Sequence, residues 1–145
     1  MPRLTAAIEI DAPSDHVFAV AADLSKRPDW TTFVKEVLIT SGDGKSSGST
    51  DRTVAKIGPQ RKTWEGILTQ YQPGELLERK FEGYFVGEER MAFAPAGNGT
   101  RVEWYVNYTP PFGILGKFGA WFMMARIYMN ELEGSLENLK RELEI

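Results

Sequence analysis

Residues 113–145 read GILGKFGAWFMMARIYMNELEGSLENLKRELEI. Leu115, Phe118, Phe122, Ala125, Met129, Leu132, Leu136, Leu139 and Leu143 recur at alternating spacings of three and four. That spacing places all of them on one stripe of an α-helix and fits no strand. The run Pro110-Pro111-Phe112-Gly113 stops whatever precedes it, because neither proline donates a backbone N–H and each restricts the residue before it. A helix from near Ile114 onward runs for about 28 residues, or roughly 42 Å, enough to cross a small domain.

The two halves of this helix differ. From Leu132 onward the face away from the stripe carries Glu133, Glu137, Asn138, Lys140, Arg141, Glu142 and Glu144, a solvated face over one buried seam. Before Met129, the residues Trp121, Met123, Met124, Ile127 and Tyr128 add apolar surface off the stripe, broken only by Lys117 and Arg126. This half needs cover on more than one side: from its own domain, from a second copy of the chain, or from a membrane surface touched peripherally. A transmembrane span is not supported, because the uncharged run from Phe118 to Ala125 is far short of the ~20 residues a bilayer core requires.

The 145 residues predict a single domain, 1–145, with 42% apolar and 26% charged residues, as in an ordinary globular protein. A formal charge of -3 offers no basic footprint for nucleic acid. The absence of cysteine excludes disulfides, thiolate metal sites and cysteine nucleophiles. The first residues move straight into an alternating strand with no apolar signal core, so a cytoplasmic location is expected.

Leu4, Ala6, Ile8 and Ile10 alternate with more polar neighbours, the period of a half-buried strand. Ser14 then reads as the cap of a short helix with Val17, Phe18 and Ala21 on its apolar side, and a second short helix or turn breaks at Pro28. Further strands are expected at Val34–Thr40, Ser49–Ile57, Arg61–Tyr71, Leu76–Glu82, Tyr84–Ala94 and Thr100–Thr109, separated by glycine- and proline-rich turns. Consecutive strands on short turns form an antiparallel meander. With the first strand beside the last, the expectation is an α+β domain: a curved seven-stranded antiparallel sheet around the long C-terminal helix. A bent sheet gripping a helix seldom closes completely, which predicts a cavity between the two.

In order and spacing, Ala12-Pro13 with Val17-Phe18, then Asp23, Arg27-Pro28-Asp29-Trp30, Trp64-Glu65-Gly66, Gly99-Thr100-Arg101-Val102 and Leu136-Glu137-Asn138-Leu139-Lys140 resemble the START-like (SRPBCC, Bet v 1-like) superfamily. Within it, the chain is similar to the bacterial polyketide cyclase/dehydrase and lipid-transport group, over essentially its whole length. The resemblance implies binding or transport of a hydrophobic small molecule such as a lipid, polyketide or isoprenoid. It leaves two alternatives: a cyclase, aromatase or dehydratase acting on a polyketide-like substrate, and a module whose helix contacts a membrane or forms a homodimer through Trp121, Met124 and Ile127.

Candidate chemistry is sparse. Gly44-Lys45-Ser46 lacks the first glycine and the following helix of a phosphate loop. His16 is the only histidine and falls off the apolar side of the first helix, so neither a metal site nor a cofactor is expected. Glu65, Glu78, Glu88, Glu89 and Glu103 read as surface charge pairs. Arg79 shares the face of Leu77 and Phe81 if the strand is regular, where its guanidinium could hold a ligand oxygen; a bulge would turn it outward. Tyr105 and Asn107 are further polar candidates near the cavity. Its expected walls are Trp104 and Tyr108 from the last strand, Phe118, Phe122 and Met129 from the helix, Trp64, Phe81, Met91 and Phe93 from the middle strands, and Trp30 and Phe33 at the mouth, together with Arg79.

Overall fold

The computed structural model describes residues 3–59, 61–109 and 118–144, and the side chains of the last segment from Phe122 onward. Strand β1 (Arg3–Ile10) leads into helix α1 (Ser14–Ala21), a 3-10 turn at Leu24–Lys26 and the one-turn helix α2 (Arg27–Trp30). Strands β2 (Val34–Ser41), β3 (Thr50–Lys56), β4 (Arg61–Gln72), β5 (Leu76–Gly83), β6 (Val86–Ala96) and β7 (Gly99–Thr109) follow in sequence, and helix α3 (Phe118–Leu143) comes last. The expected helix start near Ile114 and the Pro110–Gly113 stop lie outside the described residues, as do the side chains of Phe118 and Trp121.

The strands form one antiparallel sheet in the order β1-β7-β6-β5-β4-β3-β2. Tight turns allow the meander; Gly97, at φ +59, supplies the left-handed residue that closes β6 onto β7. β1 pairs with β7 from Arg3 opposite Asn107 to Ile10 opposite Thr100. Alternation sends Leu77, Arg79 and Phe81 of β5, Glu89, Met91 and Phe93 of β6, and Val102, Trp104, Val106 and Tyr108 of β7 into the interior. The architecture is the seven-stranded sheet and long C-terminal helix expected from the spacing, the helix-grip that the resemblance implies. Small differences are local: Ser14 is the first residue of α1 rather than its cap, a position held by Pro13, and β6 begins at Val86 because Tyr84 and Phe85 belong to the turn after Gly83.

Helix α3 corrects one expectation. Its buried residues are Tyr128, Leu132, Ser135, Leu136 and Leu139, whereas Phe122 is 77% exposed and Met123 68% exposed. A stripe spaced at 3.5 residues drifts by ~20° per heptad on a straight helix, so by Phe122, two heptads before Leu136, it has turned ~40° away. Tyr128 rotates inward in its place, and Met129 is only half-buried against the core. The C-terminal half sets the phase because it is tied down: Ser135 Oγ accepts from the Thr32 backbone N–H at 2.9 Å, Lys140 Nζ donates to the Glu9 carbonyl at 2.9 Å, and the Asp11 backbone N–H donates to Glu144 at 2.7 Å.

This phase has a measurable consequence. Leu136→Ala should lower the free energy of unfolding by about 2–5 kcal/mol, while Phe122→Ala should change it by less than about 0.5 kcal/mol. Urea denaturation of the two variants checks this; comparable losses would place Phe122 in the core after all.

Candidate functional site

The interior of the sheet holds two distinct layers, one ionic and one aromatic. The ionic layer begins with register. Arg79 on β5 stands directly opposite Glu89 on β6, with both side chains on the inner face, and Arg79 Nη1 donates to Glu89 Oε2 at 2.5 Å. In the other direction Arg79 spans β4 to reach β3. Gly66 of β4 pairs with Asp51 of β3, and a Cβ on Gly66 would lie 2.4 Å from Arg79 Nε. The missing side chain is therefore what lets the guanidinium through. Arg79 Nε donates to Asp51 Oδ2 at 2.8 Å and Nη2 to Oδ1 at 2.7 Å, a bidentate pair. Thr53 donates to Asp51 Oδ1 at 2.9 Å and accepts from Arg79 Nη2 at 3.1 Å.

A second guanidinium enters from α2. Arg27 Nη1 donates to Glu89 Oε2 at 2.8 Å and Nη2 to Oε1 at 2.6 Å, with the Arg27 guanidinium carbon 5.3 Å from the centre of the Trp104 ring. Trp104 Nε1 donates to Glu89 Oε1 at 3.1 Å. Glu89 thus accepts from Arg27 twice, Arg79 and Trp104, which fills the lone pairs a carboxylate offers. Arg27, Asp51, Arg79 and Glu89 are all buried, and their formal charges sum to zero.

Burial by itself would raise the pKa of Glu89, but the Arg27 and Arg79 charges and the donated hydrogen bonds outweigh it and hold the group at about 2. Burial likewise disfavours the Arg79 cation, and its Asp51 and Glu89 partners more than offset that, keeping it charged. Glu89 is therefore a permanent carboxylate at neutral pH and not a proton donor. The expectation that Glu89 is a surface charge is overturned, and Arg79 faces inward as regular alternation requires, engaged by two carboxylates.

The aromatic layer lies on the same face toward α3. Trp64 meets Phe81 at 6.0 Å and Phe85 at 5.8 Å between ring centres. Phe85 stacks on Tyr128 at 5.5 Å with planes 15° apart and meets Tyr108 at 4.9 Å. Tyr128 reaches Tyr108 at 5.2 Å and Phe33 at 5.7 Å, and Phe33 and Trp30 both approach Trp104, at 6.1 and 5.5 Å. Met91 lies between the layers, its sulfur 3.8 Å from Arg27 Nη2. Within this aromatic and ionic interior, Tyr108 Oη, Trp30 Nε1 and Arg27 Nε are buried without a hydrogen-bond partner. Burial pushes the Tyr108 phenol up to about 12 and raises that of Tyr128 as well, so both stay neutral.

Of the residues expected to line a ligand site, Trp30, Phe33, Trp64, Phe81, Trp104 and Tyr108 converge in this ring chain, with Met91 and Arg79 beside it. Phe93 is buried at the α1 end, against Phe18 at 5.1 Å. Phe122 is on the solvent side of α3, Met129 is peripheral, and Phe118 lies outside the described side chains. Met124 is packed partly against the core and Ile127 is exposed. Tyr105 and Asn107 lie on the opposite, outer face, where Tyr105 donates to Glu103 at 2.6 Å. Two open recesses of about 710 and 530 Å³ occupy that outer face, their walls carrying Glu78, Lys80, Glu88, Arg90 and Glu65 among others.

Asp51, Phe85, Arg27, Glu89 and Tyr128 were not among the residues expected at this site. Glu89 was legible by the argument applied to Arg79, since it alternates with Met91 and Phe93. Among the described residues no group of three His, Cys, Asp or Glu could hold a metal, and no helix is long and apolar enough to cross a membrane.

A family profile described as polyketide cyclase/dehydrase and lipid transport matches residues 1–144. Among solved structures, the chain is similar to TTHA0849 from Thermus thermophilus, at 22% identity over 98% of this chain and 97% of that one, with a TM-score of 0.83. It is similar to a START superfamily protein from Mycobacterium smegmatis, at 17% identity over 98% and 97%, TM-score 0.81. It also resembles the Aha1 dimer from Colwellia psychrerythraea, at 16% identity over 100% and 98%, TM-score 0.67. At these identities the likeness is one of fold. No curated protein matches the chain.

An unfolded glutamate protonates near its ordinary 4.5 while folded Glu89 resists to about 2, so between these values the unfolded chain binds more protons. Stability contributed by Glu89 is full above about 4.5 and is lost as the pH falls toward 2. Glu89→Gln, which leaves the buried Arg27 guanidinium without a carboxylate and Arg79 with Asp51 alone, should cost about 3–5 kcal/mol at pH 7 and flatten the acid limb of the stability curve. Urea titrations from pH 7 down to 2.5 measure both; a variant as stable as the parent with the same pH dependence would remove Glu89 from the centre of the network.

Proposed function

The chain belongs to the polyketide cyclase/dehydrase and lipid-transport family, and from that premise we propose that it binds a hydrophobic small molecule, of lipid, polyketide or isoprenoid type, on the aromatic layer between the sheet and α3. One observation carries this reading: in the ring chain Trp64, Phe85, Tyr108 and Tyr128, the Tyr108 hydroxyl is buried with no partner. A buried hydroxyl ordinarily finds a hydrogen bond, and leaving one unmade costs about 1–3 kcal/mol. A ligand oxygen seated among the rings would supply it, and the aromatic faces would take the rest of an apolar molecule.

Access to this layer lies along the N-terminal half of α3. The C-terminal half is tied by hydrogen bonds at Glu131, Ser135, Lys140 and Glu144, while Met124, Ala125 and Tyr128 meet the core through apolar surface. Apolar contact can slide or part without stranding polar groups, so this half moves aside for a ligand at lower cost. Glu89, held ionised and accepting four hydrogen bonds, has no proton to give and no lone pair free to take one, and the neutral Tyr108 phenol would serve as a hydrogen-bond donor to a ligand oxygen.

Native mass spectrometry of protein purified from its host should show a retained apolar molecule, and a neutral solvatochromic dye such as Nile red should bind the emptied protein. Met124→Glu, a charge at the half-buried turn beside Tyr128, should weaken dye binding by about tenfold or more while leaving the fold intact by circular dichroism. Unaltered dye affinity in that variant, together with no retained ligand, would count against the site.

A further inference from the structure

The interior also fixes what kind of polar group such a ligand carries, an inference that rests on the binding reading above. Two guanidinium groups, Arg27 and Arg79, face two carboxylates, Asp51 and Glu89, and all four are buried. Glu89 is saturated by donors from three residues, and Asp51 receives both Arg79 and Thr53. An incoming carboxylate would lie beside two fixed carboxylates with no uncompensated cation to receive it, and an incoming amine would meet the reverse. Either would be desolvated without a counter-charge, which is far costlier than burying a neutral group.

The hydrogen-bonding capacity left over points the same way. The unpartnered interior groups are Tyr108 Oη, Trp30 Nε1 and Arg27 Nε, and each carries a hydrogen to donate. Of these, Tyr108 stands in the ring cluster with Phe85 and Tyr128, and its phenol stays protonated, with its pKa pushed up to about 12. We propose that Tyr108 is the specificity-determining residue of this site, and that it selects ligands whose buried end is electrically neutral and bears a hydrogen-bond-accepting oxygen, a ketone, ester or alcohol, over carboxylates of the same chain length.

Displacement of Nile red by dodecane, 2-tridecanone, 1-dodecanol and dodecanoate at pH 8, in the parent chain and in Tyr108→Phe, tests this. Tyr108→Phe removes an unpaired hydroxyl and leaves the ring, so it should be at least as stable as the parent in urea. In the parent, ketone and alcohol should compete about three- to tenfold better than alkane, the equivalent of one hydrogen bond, and better than dodecanoate. In Tyr108→Phe that advantage over the alkane should vanish, each competitor being compared with dodecane in the same variant. Dodecanoate competing best in the parent would overturn the proposal and place recognition at a cation on the rim, such as Lys62, which lies over the Tyr84 ring at 4.4 Å. An oxygen preference unchanged in Tyr108→Phe would overturn the role of Tyr108. Failure of the parent to bind Nile red or any competitor would overturn the binding reading itself, and this proposal with it.

Discussion

Glu89 sits between two guanidinium groups, and five elements depend on that arrangement. Arg27 brings α2 down onto the sheet, Arg79 joins β5 to Glu89 on β6 and to Asp51 on β3, and Trp104 adds β7 through its indole N–H. Four charges taken out of water are costly to desolvate, and an ion pair in the interior repays this only when the geometry is close and the remaining polar atoms are satisfied. Here the distances run from 2.5 to 3.1 Å around Glu89 and its partners. Such a network adds less net stability than an apolar core of the same volume, but removing any one member leaves the buried charges unbalanced. Its effect is to specify register: a one-residue slip of β5 would send Arg79 outward and leave Asp51 and Glu89 buried without it.

Gly66 shows how backbone and network are linked. The strand could not carry a side chain there without displacing Arg79, so one absent Cβ in the middle of β4 lets an arginine on β5 bridge to β3. Glycine weakens a strand interior by itself, and here its absent side chain opens the path for a bidentate ion pair. The family to which the chain belongs is described by polyketide cyclases or dehydrases and lipid transport; in this member the four interior charges sum to zero, and the layer beside them is aromatic.

Much of this was legible in the sequence because period is a strong signal. Strand alternation placed Trp104 and Tyr108 inward, and short turns implied the meander. The exposed Phe122 was misread because a spacing of three and four is not 3.6, and the drift accumulates toward the end far from the hydrogen-bonded anchor at Ser135. The ion network was hidden for a different reason. Arg79, Glu89, Asp51 and Arg27 are far apart in sequence, and charged residues are exposed by default. The only local clue was that Arg79 and Glu89 each fall in phase with apolar neighbours on their own strands. Asp51 and Arg27 carry no such mark: Asp51 follows a polar run, and Arg27 sits beside Lys26 like any surface pair. Their burial follows from three-dimensional pairing that no single segment encodes.

Glu89 is a buried, fully paired carboxylate. Its ionisation can be read directly by carboxyl-carbon NMR on the parent chain, with the resonance assigned through Glu89→Gln. The account predicts that the Glu89 signal stays at its ionised position through the ordinary glutamate range and begins to titrate only as the pH approaches about 2 or the protein unfolds. A midpoint at or above the ordinary 4.5 would mean that the guanidinium groups do not hold it, and that the interior is neither closed in charge nor organised around this residue.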